Sequence, residues 1–418
     1  MNDSVVKFYR DSNPLIKKDN LKKEFVSPQW KRMEVILKVT ERCNIDCTYC
    51  YFFNSTNKDF EDHPVYINYE TIKEVIAFLE NAVKEANVKY LQIDFHGGEP
   101  LLMKKQRFDE MCSLFKDQLG RYVDLRFVIQ TNAMLIDQEW LSIFKKHEIS
   151  IGISLDGPKK IHDENRVDHQ GRGTYDQTIA GWNLVRESNI KGLKDSSGII
   201  CVIDPDHDAR TVFNHFVDDL DFTSINYLLP MEDHDTFDEE KYKNMTKYLC
   251  DLFDAWIERG NKKIQIRYFY RFLSRLTGGE STRVMVEKMI GDNLAFTIAS
   301  NGDIGSADDL RNTFPKLFRT KSNAANTRLA DFVNIPSISS HNVAVQERHE
   351  DCLKCCWGKI CDGGDIVGSE AFRYSRANGF RNKSVYCSSI EGLLTHMTEF
   401  LLKNGVAFEE ISRILISE

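Results

Sequence analysis

The sequence has no long hydrophobic run, and this absence excludes a protein with helical membrane spans. No segment approaches the ~18 uninterrupted apolar residues that cross a bilayer, and the start, MNDSVVKFYR, lacks the apolar core of a signal peptide. There is also no large excess of one charge sign, because 55 Lys and Arg oppose 63 Asp and Glu for a net charge of −8. This mild acidity provides no broad basic surface. We therefore expect a cytoplasmic protein with neither nucleic acid nor membrane among its partners.

The chain also lacks internal repeats and low-complexity tracts, and its composition of 42% hydrophobic and 28% charged residues is that of a globular protein. It does contain 11 cysteines, most of them in two groups. In a reducing compartment, grouped thiols more often hold metal than form disulfides. The cysteine groups are therefore the main functional signal.

The first half of the chain alternates β-branched runs with helical patterns, which is typical of βα units around a parallel sheet. Between the first two strands, residues 69–86 predict an amphipathic helix, since Ile72, Val75 and Leu79 share one face. Six repeated units predict an α/β fold with a full or partial barrel. The six predicted strands cover residues 34–40, 89–95, 123–130, 149–155, 198–204 and 222–229.

Beyond residue 230 the pattern changes. An acidic segment at residues 231–240 is expected to cap a helix that continues to residue 260. Residues 294–310 predict a β-hairpin that turns at Asn301 and Gly302, and the end of the chain predicts helices. We predict an N-terminal extension (1–33), a barrel (34–230), a linker helix (231–260) and a cysteine-rich domain (261–418).

Cys43, Cys47 and Cys50 form CxxxCxxC directly after the first strand. Barrels of this kind carry their chemistry at the C-terminal ends of the strands. Three thiolates on one short loop suit a [4Fe-4S] cluster whose fourth iron has no protein ligand, and a vacant metal position is a reactive one. Zinc is the alternative, although no fourth protein ligand stands nearby in the sequence.

With the aromatic Tyr49 before the last cysteine, this motif resembles CxxxCxΦC of the radical S-adenosylmethionine (radical SAM) enzymes, over about residues 34–230. The resemblance implies a partial (β/α)6, TIM-like barrel. It also implies that a [4Fe-4S] cluster binds S-adenosylmethionine and cleaves it to a 5′-deoxyadenosyl radical, with electrons from a donor such as flavodoxin or ferredoxin. The cofactor performs the difficult step, and the protein supplies position and seclusion.

Further rim motifs match that family. The HisGlyGlyGluPro turn after the second strand corresponds to its GGEP turn, where glycines allow close backbone approach to the methionine ammonium; an ordinary strand-to-helix turn is the alternative. For Arg166 the alternative is a surface ion pair. The resemblance implies that the cofactor is bound by Tyr49, Gly97, Gly98, Glu99, Thr131, Asn132, Ser154 and Arg166.

The second cysteine group resembles the SPASM extension of radical SAM enzymes that modify peptides. In that family seven or more cysteines hold two auxiliary [4Fe-4S] clusters, but here Ala307 and Asp365 stand where cysteines are expected. Both losses fall on the same cluster, so we expect a single auxiliary [4Fe-4S] cluster, with a zinc site as the alternative. Cys356 competes with Cys355 as a ligand. The expected ligands are Cys352, Cys355, Cys361 and Cys387.

Asp308 directly follows Ala307. In sulfatase-maturating relatives an aspartate at this place is a general base, and the resemblance therefore implies that Asp308 is catalytic. A polar residue beside a hairpin is the alternative, and Asp309 cannot be distinguished from Asp308 by sequence. Asp365 and His96 stay undecided.

Together these resemblances imply an oxidoreductase that modifies a ribosomally made precursor peptide. The expected product is a three-residue cyclophane, in which an aromatic ring carbon is joined to a β-carbon, with the auxiliary cluster as electron acceptor. Conversion of Ser or Cys to formylglycine, as in sulfatase-maturating enzymes, is the first alternative. A non-catalytic iron-sulfur or zinc scaffold is the second. Residues 1–33 are too few for a winged-helix recognition domain, so peptide binding is expected to use other surfaces.

Overall fold

Nine strands form one sheet in the computed structural model, which describes residues 30–55, 57–278, 293–367 and 369–416. The prediction for residues 1–29 therefore lies outside the described residues. The order across the sheet is β7-β6-β5-β4-β3-β2-β1-β8-β9. The strands are β1 (Arg32–Thr40), β2 (Tyr90–Gly97), β3 (Asp124–Thr131), β4 (Ser150–Ser154), β5 (Gly198–Val202), β6 (Ser224–Leu228), β7 (Gln265–Ile266), β8 (Asn293–Ile298) and β9 (Ile304–Gly305).

The six predicted strands are confirmed as β1 to β6, with ends shifted by at most two residues. Neighbouring strands from β1 to β7 run parallel. A parallel arrangement needs helices on the sheet to cover its apolar residues, and Val35 and Leu37 of β1 are completely buried. The partial barrel implied by the family resemblance agrees with this α/β sheet.

Helices connect the strands. The helix predicted at residues 69–86 is confirmed as α1: the side chain of Asn68 accepts a hydrogen bond from the Thr71 amide at its start, and Asn87 is left-handed at its end. The other helices of this half are α2 (Lys105–Leu119), α3 (Gln138–His147), α4 (Lys159–Asn165), α5 (Tyr175–Glu187) and α6 (Ala209–Asn214).

The C-terminal part is joined to the same sheet. β8 pairs in parallel with β1, and β7 pairs with β6, so the strands that follow residue 260 extend both edges of the predicted barrel. Phe78 of α1 packs edge-on against Phe296 of β8, with ring centroids 6.0 Å apart. The division at residues 230 and 260 remains a prediction.

The linker helix is shorter than expected. It is α7 (Met245–Arg259), and the residue before it, Asn244, makes no side-chain cap. The acidic segment therefore does not cap this helix. Instead, the side chain of Asp233 accepts a hydrogen bond from the backbone amide of Asp235, and this bond closes a separate turn.

The hairpin is confirmed, since β9 runs antiparallel to β8 and Gly302 turns the chain with φ of 90°. Helices are also present at the end of the chain, as expected. Among the described residues, no helix is long and apolar enough to cross a membrane. The helices after α7 are α8 (Arg267–Leu276), α9 (Leu329–Val333), α10 (Pro336–Gln346), α11 (Glu350–Lys354), α12 (Gly358–Cys361), α13 (Cys387–Lys403) and α14 (Phe408–Ile416).

Candidate active site

One cavity of about 1510 Å³ lies at the C-terminal ends of the strands. It collects residues that are far apart in the sequence, because the carboxyl ends of parallel strands meet at one edge. The second cysteine group does not line it. The predicted residues that do are Cys43, Cys47, Tyr49, Cys50, Gly97, Gly98, Glu99, Thr131, Asn132, Ser154, Arg166 and Asp308.

The glycine turn after β2 lies directly against the chain that leads into the first cysteine group. The amide of Gly98 donates to the carbonyl of Thr40 at 3.0 Å, and the amide of Glu99 donates to the carbonyl of Arg42 at 2.9 Å. A Cβ on Gly98 would lie 2.0 Å from the Arg42 oxygen, a contact that no side chain tolerates. The turn therefore needs glycine for close packing, and this packing fixes its position relative to Cys43.

Glu99 is buried and holds the turn together. One carboxylate oxygen accepts from the Leu101 amide (3.0 Å) and the Thr131 hydroxyl (2.7 Å), and the other accepts from the Asn132 amide (2.8 Å). Burial raises the pKa of Glu99 to about 7, although these bonds oppose the shift. Thr131 also accepts from the Ala133 amide at 3.0 Å, so its hydroxyl is occupied within the protein. Thr131 therefore positions Glu99, and its predicted contact with the cofactor stays a prediction.

Arg166, Tyr49 and Asp156 form a buried polar group beside the first cysteines. Nη1 of Arg166 donates to the Tyr49 hydroxyl at 2.9 Å, and that hydroxyl donates to Asp156. Arg166 is only 8% exposed, so the predicted alternative of a surface ion pair is wrong. Its Nε has no hydrogen-bond partner among the described residues. A buried donor that lines the cavity without a partner fits the carboxylate of a ligand.

The remaining predicted cofactor residues also face the cavity. The Ser154 hydroxyl accepts from the side-chain amide of Gln130 at 2.7 Å. The side-chain amide of Asn132 donates to the side-chain oxygen of Asn44 at 2.8 Å, next to Cys43 in the cysteine loop. Both contacts fix side chains on the rim of the cavity, where they can face a bound nucleoside.

The three thiols of the first group fit a cluster better than a single ion. A zinc ion with bonds of about 2.3 Å would hold its sulfurs about 3.8 Å apart. In the part of the chain that the structure describes, Glu164, Asp204 and His207 alone form a trio of potential ligands within 4.8 Å of one another. The sulfurs of Cys43, Cys47 and Cys50 are thus spread more widely than a single zinc ion requires.

Asp308 belongs to a buried network that the sequence did not indicate. Its Oδ2 accepts from the ammonium of Lys38 and from the hydroxyl of Tyr51, and the Lys38 nitrogen lies 3.1 Å from Nδ1 of His96. Lys38 holds the pKa of Asp308 down to about 2 against the opposing effect of burial, which is the larger single influence. Burial also lowers the pKa of His96 to about 4. The network thus combines an ionised carboxylate with a neutral imidazole.

The two oxygens of Asp308 differ. Oδ2 accepts two hydrogen bonds, from Lys38 and Tyr51, whereas Oδ1 is buried and has no hydrogen-bond partner among the described residues. Asp309 has another environment, because its Oδ2 accepts from the Ser369 hydroxyl at 2.6 Å and burial raises its pKa to about 6. Tertiary structure therefore separates two aspartates that sequence could not. Both line the cavity.

Sequence reasoning missed Lys38, Tyr51 and Asp156. Lys38 carries the one available signal, a charged residue within the apolar strand EVILKVT. It is completely buried, and buried lysines are rare unless they are paired. Its partner is 270 positions away. Tyr51 and Asp156 adjoin motifs that were recognised, but nothing local marks their side chains as functional.

The second cysteine group lies outside the cavity, where the segments around α11, α12 and α13 meet. Cys387 is the first residue of α13, a position where the helix dipole favours a thiolate. Burial raises the pKa of Cys387 to about 11, and the charges of Cys352 and Cys355 act in the same direction. After Cys361, Gly363 and Gly364 adopt φ of 70° and 96°, which turns the chain. Burial raises the pKa of Cys361, and the charges of Cys387, Cys355 and Cys352 act in the same direction, which supports one site for the four predicted ligands.

Cys355 is better placed than Cys356 to join the other three thiols. Cys355 influences the ionisation of Cys352, Cys361 and Cys387. Cys356 is influenced mainly by its hydrogen bond to Cys355, which raises its pKa. These electrostatic influences favour Cys355 over Cys356, and the ligand set stays a prediction. Of the cysteines outside both groups, Cys112 and Cys201 are buried and Cys250 is half-buried.

The chain is similar both to a family model and to individual known proteins. A model of the Radical SAM superfamily matches residues 37–214. The cysteine-type anaerobic sulfatase-maturating enzyme of Clostridium perfringens is 27% identical over 378 residues, which cover 85% of this chain and 93% of that protein. The serine-type anaerobic sulfatase-maturating enzyme of Bacteroides thetaiotaomicron is 23% identical over 361 residues, covering 81% of this chain and 83% of that protein.

Solved structures extend this likeness to the fold. Native anSMEcpe with bound AdoMet aligns with a TM-score of 0.73 at 22% identity, covering 89% of this chain and 98% of that one. Native anSMEcpe with bound AdoMet and the Cp18Cys peptide aligns with a TM-score of 0.72, at 22% identity and with the same coverage. At these identities the likeness shows the fold alone.

Proposed function

We propose that this protein modifies a peptide by radical chemistry in the cavity at the ends of its strands, since residues 37–214 match a model of the Radical SAM superfamily. One observation carries the proposal. The three cysteines of the first group, the glycine turn, the partly unpaired guanidinium of Arg166 and the carboxylate of Asp308 all line that single cavity. Relatives that resemble the chain over most of its length are named as sulfatase-maturating enzymes, which act on a protein side chain.

The residues fit the cofactors that the superfamily uses. Cys43, Cys47 and Cys50 would hold a [4Fe-4S] cluster, and the second cysteine group would hold an auxiliary one. When bound, S-adenosylmethionine on the first cluster supplies a 5′-deoxyadenosyl radical that removes a hydrogen atom, and the auxiliary cluster supplies an electron acceptor. Arg166 would bind the methionine carboxylate through Nε, and the turn at Gly97 and Gly98 would face the ammonium.

Asp308 would accept the proton that the oxidised substrate releases. Its Oδ1 is buried, unpartnered among the described residues and at the cavity wall, while Lys38 and Tyr51 fix Oδ2. This arrangement keeps the carboxylate ionised and leaves Oδ1 to accept the proton. Asp309 is a second candidate, because its pKa of about 6 is closer to neutrality.

Single substitutions distinguish the two aspartates. We expect Asp308→Asn to abolish product while 5′-deoxyadenosine still forms, because hydrogen abstraction precedes loss of the proton. Asp309→Asn would lower turnover less. The measurement is product formed per 5′-deoxyadenosine released. A larger loss in Asp309→Asn than in Asp308→Asn would assign the base to Asp309.

The comparisons favour formylglycine as the product, because both named relatives are sulfatase-maturating enzymes. Cyclophane formation stays a prediction. It retains one supporting feature, the absence of cysteine at Ala307 and Asp365, which departs from the two-cluster SPASM pattern.

Mass spectrometry separates these products. The anaerobically reconstituted enzyme would be incubated with S-adenosylmethionine, a reductant and either a Cys- or Ser-containing sulfatase peptide or the short peptide from a neighbouring reading frame. An aldehyde that reacts with a hydrazine would support formylglycine. Loss of two hydrogens with fragmentation blocked between an aromatic residue and a residue two positions later would support the cyclophane.

A non-catalytic scaffold makes the opposite prediction. It would release no 5′-deoxyadenosine from S-adenosylmethionine and dithionite, and Cys43→Ala would leave its function intact. We expect wild-type protein to release 5′-deoxyadenosine and the Cys43→Ala variant to release none. Reduction by flavodoxin or ferredoxin in place of dithionite would test the predicted electron donor.

A further inference from the structure

A second cavity, of about 400 Å³, lies outside the candidate active site and shares no lining residue with it. Its walls come from β8, from the turn and loop beyond it and from the loop at Asp59. We call it the Arg311 pocket. The residues that matter to its chemistry are Thr297, Arg311, Arg319, Lys321, Asp59 and Asp303.

Arg311 is the unusual residue of this pocket. Its side chain lines the pocket although the residue is only 2% exposed, and Nε and Nη2 have no hydrogen-bond partner among the described residues. The guanidinium lies 4.5 Å from the ring centroid of Phe52 and 5.7 Å from that of Phe318. Aromatic faces offset only part of the cost of burying a cation, and a buried charge normally has a charged or hydrogen-bonding partner.

Thr297 provides a second donor without a partner. It is 2% exposed, it lines the same pocket, and its hydroxyl makes no hydrogen bond among the described residues. A guanidinium fork and a hydroxyl that line one pocket match the acceptor pattern of an oxyanion. Lys321 adds positive charge to the wall.

Two carboxylates of the pocket are already engaged. Asp59 accepts from Arg319 at 2.9 Å, and Asp303 accepts from the side-chain amides of Asn301 and Asn323 at 2.8 and 2.9 Å. Neither carboxylate bonds to Nε or Nη2 of Arg311, although Asp303, held by neutral amides, keeps its negative charge in the pocket. The third, Asp62, is exposed.

We propose that the Arg311 pocket binds a small oxyanion, a phosphate or a carboxylate, with the guanidinium of Arg311 as its main ligand and the Thr297 hydroxyl as a second donor. A planar fork binds two oxygens of either group at once. The site is separate from the proposed reaction. Its ligand would nevertheless lie close to the reaction, because the Phe52 ring contacts both the Arg311 guanidinium, 4.5 Å from its centroid, and the Lys38 ammonium, at 4.6 Å.

The test titrates cluster-loaded protein with phosphate and, separately, with acetate, at constant ionic strength in chloride. Isothermal titration calorimetry gives affinity and stoichiometry, and thermal unfolding gives the shift in midpoint. We expect one site per chain for at least one of the two anions, and a midpoint that rises with the logarithm of its concentration above Kd. Phosphate alone would indicate a tetrahedral ligand, acetate alone a carboxylate, and both a general oxyanion site.

Arg311→Met separates this site from general salt effects. Without oxyanion the variant should be at least as stable as wild type, because it removes an unpaired buried charge. With oxyanion it should show no saturable rise, so that wild type becomes the more stable protein. Arg126→Met is the matched control, since Arg126 is an exposed arginine paired with Asp124, and it should bind as wild type does.

Thr297→Val provides a second variant that keeps the charge. It should weaken binding several-fold while leaving the stoichiometry unchanged, and it remains informative if Arg311→Met fails to fold. The proposal is overturned if wild-type protein binds neither anion, or if Arg311→Met or Thr297→Val binds as tightly as wild type.

Discussion

Replacing Lys38 by methionine tests whether the buried network sets the ionisation of Asp308. In the wild-type protein the carboxylate is held at a pKa of about 2 by Lys38, against burial. Methionine has nearly the same length but no charge. We expect the Asp308 carboxyl in Lys38→Met to take up a proton at neutral pH, since burial alone raises the pKa of a carboxyl.

The size of the effect follows from that protonation. At pH 7, protonating a carboxyl whose unfolded pKa is near 3.9 costs about 4 kcal/mol, which agrees with the roughly 3–5 kcal/mol lost when one partner of a buried ion pair is removed. We therefore expect Lys38→Met to lower the free energy of unfolding by about 4 kcal/mol at pH 7. Asp308→Asn in the same chain should recover most of this loss, because a neutral amide needs no charged partner.

The pH dependence has a definite sign. In wild-type protein the folded pKa of Asp308 lies below its unfolded value, so its stabilising effect is complete above about pH 4 and is lost between about pH 4 and pH 2. In Lys38→Met the folded pKa lies above the unfolded value. Stability should then decrease by about 1.4 kcal/mol for each pH unit above 4, until Asp308 ionises.

Denaturant unfolding of anaerobic protein between about pH 6 and 8 measures both quantities, and infrared difference spectra detect the protonated carboxyl directly. Its carbonyl band should appear in Lys38→Met and disappear when Asp308→Asn is added. Lys73→Met is the control, because Lys73 pairs with Glu70 on an exposed face and should change stability by less than about 1 kcal/mol. Equal pH slopes for wild type and Lys38→Met, without a carboxyl band, would refute the reasoning.

Three further predictions concern the cofactors and the turn that positions them. Gly98→Ala should destabilise the protein by about 3 kcal/mol and reduce cluster content, measured as iron per chain, because the new Cβ would lie 2.0 Å from the Arg42 carbonyl oxygen. Cys355→Ala should remove the iron of one cluster, whereas Cys356→Ala should leave iron and sulfide unchanged; the opposite result would reassign the ligand. Arg166→Lys should weaken binding of S-adenosylmethionine about tenfold or more in an equilibrium assay, since lysine loses the Nε donor, and unaltered affinity would exclude Arg166 from the carboxylate site.

The strands and the first helix could be predicted from sequence because their signals are local. The alternation of apolar residues predicted the ends of β1 to β6 to within two residues. The polar residues Asn68 and Asn87 mark the start and the end of α1. The first cysteine motif is equally local, since one short loop carries all three thiols. These features depend on neighbours in the chain, so the sequence contains the information needed to find them.

Local patterns could not reveal how the two halves of the chain join. β8 adds to β1 in parallel although 252 residues separate Thr40 and Asn293. Parallel pairing of distant strands depends on the packing of the whole sheet and leaves no short-range pattern. The division near residue 230 into a barrel and a C-terminal domain stays a prediction, and the change of pattern there gave no sign that β8 pairs with β1.

The amino-acid sequence by itself determined the kind of chemistry, because the spacing of the cysteines, the GlyGlyGlu turn and the aromatic Tyr49 are contiguous motifs. Only the tertiary structure decided which side chains tune that chemistry. Asp308 and Asp309 are adjacent in sequence, yet one meets the buried ammonium of Lys38 and the other the hydroxyl of Ser369. The pKa of a buried carboxyl depends on desolvation and on charges a few ångströms away, and those are set by folding rather than by neighbours in the chain.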